Sequence, residues 1–333
     1  MRHVTSAAAA TRSPRHRPLF ITVVLLALVV GSSQAATPNP QLPGATYIAL
    51  QASSAVENLQ TGQVFDALPG AHYLALGPHG NHLLVSSATL PKAWLIDAHD
   101  GKRLATFSVG ATPQGVAISP DGRTGLAIGA GAGAVTLLDL VARKPLTTIA
   151  VGNNPHNALF NADGKLAYVT LQGEGKVAVI DLRKKTVTAT FPVPGLDHPH
   201  NLALSADGKT LWIRGFVGKV AAVDLATRKV LAVIPVGLGH AGIDVVPGSG
   251  LVVTGAVADH FVDVINPKTY KVIRRINVGQ GPHGVRASRD GHWIYAGVTA
   301  TDRVAVIDAR TLQVVAQLPT RGKLPFWLAV GRR

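Results

Sequence analysis

The chain has 333 residues, of which 47% are hydrophobic and 15% charged, with a formal charge of +14. Its 35 glycines and 21 prolines leave no room for the long 3.6-residue periodicity of a helical bundle or coiled coil, and its apolar fraction is too high for disorder. Cysteine is absent, which excludes disulfides, thiolate metal sites, iron-sulfur clusters and a cysteine nucleophile, so any metal must be held by nitrogen and oxygen.

Residues 1–35 read as a secretory signal. Arg12, Arg15, His16 and Arg17 precede an apolar run at 19–30, and Ser33-Gln34-Ala35 offers the small residues of a cleavage site. The run is shorter than the ~20 residues that span a bilayer, so the mature chain is expected to carry no transmembrane span. No arginine pair marks the twin-arginine route, and the protein is expected in the periplasm or outside the cell. Export removes four arginines and no acid, leaving +10, so the basic balance belongs to the mature protein and favours anionic partners. Residues 36–44 read as a short linker.

From there the chain repeats. Strand ends of the Val-Ile-Asp type fall at Asp97, Asp139, Asp181, Asp224, Asn266 and Asp308, at intervals of 42, 42, 43, 42 and 42 residues. Tight-turn pairs keep step at Asp121-Gly122, Asp163-Gly164, Asp207-Gly208 and Asp290-Gly291, while His79-Gly80 and Gly248-Ser249-Gly250 fill the other slots. Within the repeat that begins at His156, four Val/Ile/Leu/Ala-rich runs at 156–161, 165–171, 176–182 and 186–193 predict four antiparallel strands. Four strands every ~42 residues is the pattern of a propeller blade.

Innermost strands are predicted to start near His72, Gln114, His156, His200, Ala241, His283 and Phe326, which makes seven blades. The last has only residues 326–330, and runs at 46–51, 53–58 and 63–68 supply its missing strands. The fold predicted over 45–333 is therefore all-β, a seven-bladed β-propeller of four antiparallel strands per blade. One carboxy-terminal strand and three amino-terminal strands close the ring, which removes open sheet edges and predicts a monomer.

The segments Lys176-Val177-Ala178-Val179-Ile180-Asp181 and Arg303-Val304-Ala305-Val306-Ile307-Asp308, with Ala167-Tyr168-Val169-Thr170 and the recurring Val-Gly-x-x-Pro-x-Gly, resemble the YVTN repeats of YncE-like periplasmic β-propellers. The resemblance spans all seven repeats and implies the fold. For function it implies only a range, from surface-layer and binding proteins to lactonases, lyases and haem- or copper-bearing propellers.

The strand-end aspartates fit turn-forming roles, accepting a hydrogen bond from the backbone two residues on. The residue after proline in Val-Gly-x-x-Pro-x-Gly is different, because it lies where the chain crosses from one blade to the next. Its seven copies are predicted to circle one mouth of the central channel as His72, Gln114, His156, His200, Ala241, His283 and Phe326, with His240 beside the alanine. Imidazole is a good ligand for copper and zinc, so His72, His156, His200, His240 and His283 are the candidate metal ligands. His198 and Gln114 are candidates for ligand contacts. So are Glu174, Arg214, Asp259, His260, Asp302 and Arg303, placed on loops between second and third strands at the same mouth.

These residues predict an exported propeller that binds a transition metal, or a small ligand, at a histidine-lined mouth. A non-enzymatic scaffold for a protein or anionic cell-envelope partner is the alternative, and a metal-dependent enzyme of lactonase or lyase type comes third; a binding protein is expected rather than an enzyme. The Gly129–Gly133 run lacks the lysine and following helix of a phosphate loop, and charge without interleaved aromatics argues against nucleic acid.

Overall fold

Each repeat folds as four antiparallel strands because its short β-branched runs are interrupted by residues made for turns. A computed structural model describes residues 45–331, so the signal at 1–35 and the linker at 36–44 lie outside the described residues. Seven four-stranded sheets are arranged as blades. The repeat at 155–192 is representative, with strands Pro155–Phe160, Leu166–Leu171, Lys176–Asp181 and Thr186–Pro192 in order from inside to outside.

The third strand explains the Val-Ala-Val-Ile motif. Val177, Ala178 and Ile180 are all fully buried, since both faces of an inner strand are covered by the neighbouring blades. The outermost strand, Thr186–Pro192, alternates exposed and half-buried positions because one of its faces meets water.

The aspartates at the third-to-fourth turns act as expected. The Asp97 carboxylate accepts from the His99 amide at 2.7 Å, Asp181 from Arg183 at 3.0 Å and Asp308 from Arg310 at 2.9 Å. At the first-to-second turns Asp121 accepts from the Arg123 amide at 3.0 Å, and Gly122 supplies a φ of 74°.

Ring closure follows the predicted scheme. Pro325–Val330 pairs with Thr46–Leu50, setting Tyr47 opposite Ala329, Ile48 opposite Leu328 and Ala49 opposite Trp327. Ala55–Asn58 and Val64–Phe65 complete the seventh sheet. The outermost of these is only two residues long, shorter than the run at 63–68 suggested, because Asp66 and the turn around Leu68 lead the chain back to the first blade. No helix among the described residues is long and apolar enough to cross a membrane.

Two turn glycines allow backbone freedom and crowding to be separated. Gly208 and Gly291 have φ of 71° and 72°, but a Cβ at Gly208 would meet open space, whereas one at Gly291 would overlap the Pro247 carbonyl of the next blade. Gly208→Ala is expected to cost about 1–2 kcal/mol through the left-handed backbone alone. Gly291→Ala is expected to cost clearly more, as read from paired urea unfolding curves.

Candidate functional site

The mouth is built by one local device used seven times. Two residues before each slot stands a residue with left-handed backbone: Gly70, Thr112, Asn154, His198, Gly239, Gly281 and Leu324, with φ between 46° and 82°. Five of these precede a proline, a position that ordinarily favours extended backbone, so the turn is held by the blades on either side. It swings the chain inward and starts the inner strand, and the slot residue then meets its counterparts from other blades.

The rings form an arc of contacts. The His72 ring stacks on Phe326 at 4.3 Å between centroids and Phe326 on His283 at 3.7 Å. His283 meets His240 at 4.9 Å, His240 meets His200 at 4.8 Å, and His200 lies 3.6 Å from His156. The slot holding Ala241 leaves a gap that His240 fills from the proline position of its repeat. Phe216, from the loop beyond the second strand, stacks on His240 at 4.6 Å and 10°.

Four of these histidines are buried, His283 being 0% exposed and His200 2%, and His240 is half-buried. Burial disfavours the imidazolium and pulls His72 and His240 down to about 4 and His156 to about 3, and the neighbouring imidazoles add to the effect on His156. His200 and His283 are also held well below the ordinary histidine range, chiefly by burial. At neutral pH every ring is uncharged and keeps a lone pair.

Their hydrogen bonds divide the set. Both nitrogens of His72 are engaged, Nδ1 3.0 Å from the Gln51 side-chain amide and Nε2 3.2 Å from that of Gln114, so that on the neutral ring one amide accepts from the N–H and the other turns its NH2 to the lone pair. His283 Nδ1 lies 3.0 Å from the Phe326 carbonyl, which only accepts, so Nδ1 carries the proton and Nε2 holds the lone pair. That Nε2 is buried without a partner, as are both nitrogens of His200 and Nδ1 of His156. One nitrogen each from His200, His240 and His283 lie within 4.8 Å of one another. A zinc ion with ~2.0–2.1 Å bonds wants nitrogens roughly 3.4 Å apart, so side-chain rotation must draw this triad together.

Above the rings lies a cavity of about 470 Å³, lined also by Thr112, Asn154 and Gln172. Of the residues expected at this mouth, the structure brings His72, Gln114, His156, His200, His240 and His283 together. His198 is an exposed turn residue with Nδ1 3.2 Å from the Gln172 carbonyl. Glu174 and Asp302 fasten crossing loops: Glu174 accepts from the Asn153 amide at 2.7 Å and pairs with Lys176, and Asp302 accepts from the Leu324 amide at 2.9 Å and pairs with Lys323. Asp259 accepts from the His260 amide at 2.9 Å, with the His260 ring half exposed beside it, and Arg303 starts a third strand with its side chain exposed.

Arg214 departs from the loop expected of it. It lies on the strand Thr210–Gly215, is 0% exposed, and donates from Nη2 to the carbonyls of Gly237 at 2.7 Å and Gly239 at 2.6 Å. The hydrophobic second strand of its blade carries it inward, where it supports the loop leading into His240.

No protein-family model matches the chain, and no curated protein matches it. Among solved structures it is similar to Kuenenia stuttgartiensis hydrazine synthase, with a TM-score of 0.70 and 22% identity over 78% of this chain and 89% of that one. It is also similar to the dihydro-heme d1 dehydrogenase NirN in complex with DHE, with a TM-score of 0.63 and 17% identity over 87% of this chain and 75% of that one. At these identities the similarity is one of fold.

Proposed function

We propose that this protein is an exported propeller of the YVTN/YncE-like kind that binds copper or zinc, or a small ligand through the metal, at the His200–His240–His283 triad. The observation that carries the reading is His283, whose Nδ1 bond to the Phe326 carbonyl leaves Nε2 lone-paired, buried and unpartnered beside two further imidazoles. A second-sphere acceptor that fixes the tautomer of a ligating histidine is the usual support of such a ligand. Three nitrogens leave a coordination position for a ligand in the cavity above.

The test is metal analysis after equilibrating the mature protein with Cu²⁺ or Zn²⁺ and removing excess ion by gel filtration. About one ion per chain is expected, with retention lost in His200→Ala and His283→Ala and kept in His72→Gln. Substoichiometric metal in the unaltered protein, or equal retention in all variants, overturns the proposal. Because the rings are already neutral well below pH 6.5, affinity is expected to be level between pH 8 and 6, whereas ordinary histidines lose ligand capacity over that range.

A further inference from the structure

A second chamber lies toward the Asp-Gly turns, on the other side of the ring layer, with a volume of about 530 Å³ and no lining residue in common with the upper cavity. Its size falls within the ~300–1,000 Å³ of small-molecule sites. Most of its lining residues are aliphatic or aromatic, with Leu74, Val116, Leu159, Leu202 and Trp327 among them, although the surface exposed to the chamber is somewhat more polar than apolar. Three positions beyond the ring slot, the blades carry Ala75, Ala117, Leu159, Ala203, Asp244, Arg286 and Ala329, so this otherwise apolar level holds one acid and one base on adjacent blades.

Arg286 is only partly satisfied by the protein. Nη1 donates to the carbonyls of Ile243 at 3.0 Å and Val285 at 3.1 Å, and the guanidinium carbon sits 4.4 Å from the centre of the Trp327 ring. Among the described residues no carboxylate oxygen lies within 4.0 Å of it, and Nε and Nη2 have no protein acceptor. Its half-buried side chain lines the chamber, so those donors face the chamber's interior. Asp244 accepts from the Val245 amide at 2.9 Å and the Ala287 amide at 3.0 Å, and its charge acts on Arg286 from beyond ion-pair contact. Exposed Arg289 stands at the chamber wall.

A guanidinium fixed by two carbonyls and an aromatic face, with its outer donors facing a chamber of mixed polar and apolar wall, matches a planar carboxylate. Two arginines against one aspartate leave a surplus of one positive charge, which suits one negative charge better than two. The geometry points to a second ligand site in the lower chamber, which binds a monocarboxylate with an apolar body, the carboxylate on Arg286 and the body against Leu74, Leu159 and Leu202.

Calorimetric titration of the mature protein with octanoate, octan-1-ol and octylamine tests this. Octanoate is expected to bind at least tenfold more tightly than octan-1-ol, with octylamine weakest, since a charge-assisted pair is worth ~1.5–3 kcal/mol. Arg286→Gln is expected to reduce octanoate to the level of octan-1-ol, and Gln172→Ala, at the wall of the upper cavity, to leave it unchanged, which separates this chamber from the upper site. Equal binding of the three probes, absence of binding by octanoate, or unaltered octanoate affinity in a folded Arg286→Gln protein overturns the assignment. The probe comparison on the unaltered chain decides the question even if the variant does not fold.

Discussion

Acidification from pH 7 to pH 4 is expected to unfold this propeller, with the melting temperature falling most steeply between pH 6 and pH 4.5. Five imidazoles, four of them buried and His240 half-buried, have folded pKa values below the ordinary 6.5, about 4 for His72 and His240, about 3 for His156, and lower than usual for His200 and His283. Between the folded and unfolded values the unfolded chain holds more protons, so stability rises with pH across that window and is lost as pH falls through it. Protonating His72 or His156 in the folded state costs on the order of 3–5 kcal/mol each, against a typical total stability of ~5–15 kcal/mol, so two or three protonations suffice. Close contacts such as His156 on His200 at 3.6 Å make each further charge harder to place. Carboxylates act elsewhere on the scale: the Ser119 hydroxyl and the Arg123 amide hold Asp121 below its ordinary value, so its contribution disappears only at lower pH. Calorimetric melts from pH 7.5 to 4 check this, together with proton uptake on unfolding near pH 5, expected to approach four or five. A melting temperature that stays level down to pH 5 would show that the rings reach water or rearrange freely.

The fold was legible because each of its devices is written several times. Asp97 or Asp121 alone is an ordinary turn residue, but repeated at 42-residue intervals with glycine partners they mark blade boundaries, and the strand shortage at one end of the chain matches the surplus at the other. The histidine arc was legible for the same reason, as a recurring residue in one slot. What escaped depends on contacts between blades. Arg214 sits at the end of a second strand, where sequence cannot tell a rim residue from one folded under the neighbouring loop. Phe216 gives no periodic signal, and its stacking on His240 follows from blade curvature. The burial of the imidazoles depends on ring against ring, a property of the closed circle rather than of any repeat. Asp244 and Arg286 did carry a signal, as charged residues at an otherwise apolar level, visible once the repeats are aligned on the ring slot.

Replacing Arg214 by Met is expected to cost about 3–5 kcal/mol, the cost of breaking a buried charged network. Burial lowers the Arg214 pKa to about 10, which still leaves it cationic at neutral pH. Its Nη2 holds the Gly237 and Gly239 carbonyls, and the Gly237 amide donates to Asp263 Oδ2 at 2.6 Å. Asp263 is itself buried, with Arg275 Nε 3.1 Å from its other oxygen. Methionine fills most of the volume but strands the two carbonyls and removes one of the two cations near Asp263, which keeps Arg275. Lysine keeps the charge and loses the planar fork, so Arg214→Lys should fall between the two. The same residue acts on the metal-site candidates. After burial, its charge is the next influence pulling His240 down, so Arg214→Met should raise the His240 pKa above about 4 while Arg214→Lys holds it lower. Imidazole proton shifts followed by NMR against pH, with urea unfolding of the same three proteins, measure both effects. Equal stability of Arg214→Met and the unaltered chain would show that the Gly237–Gly239 loop is held by the strands alone, and an unmoved His240 titration would remove Arg214 from the electrostatics of the triad.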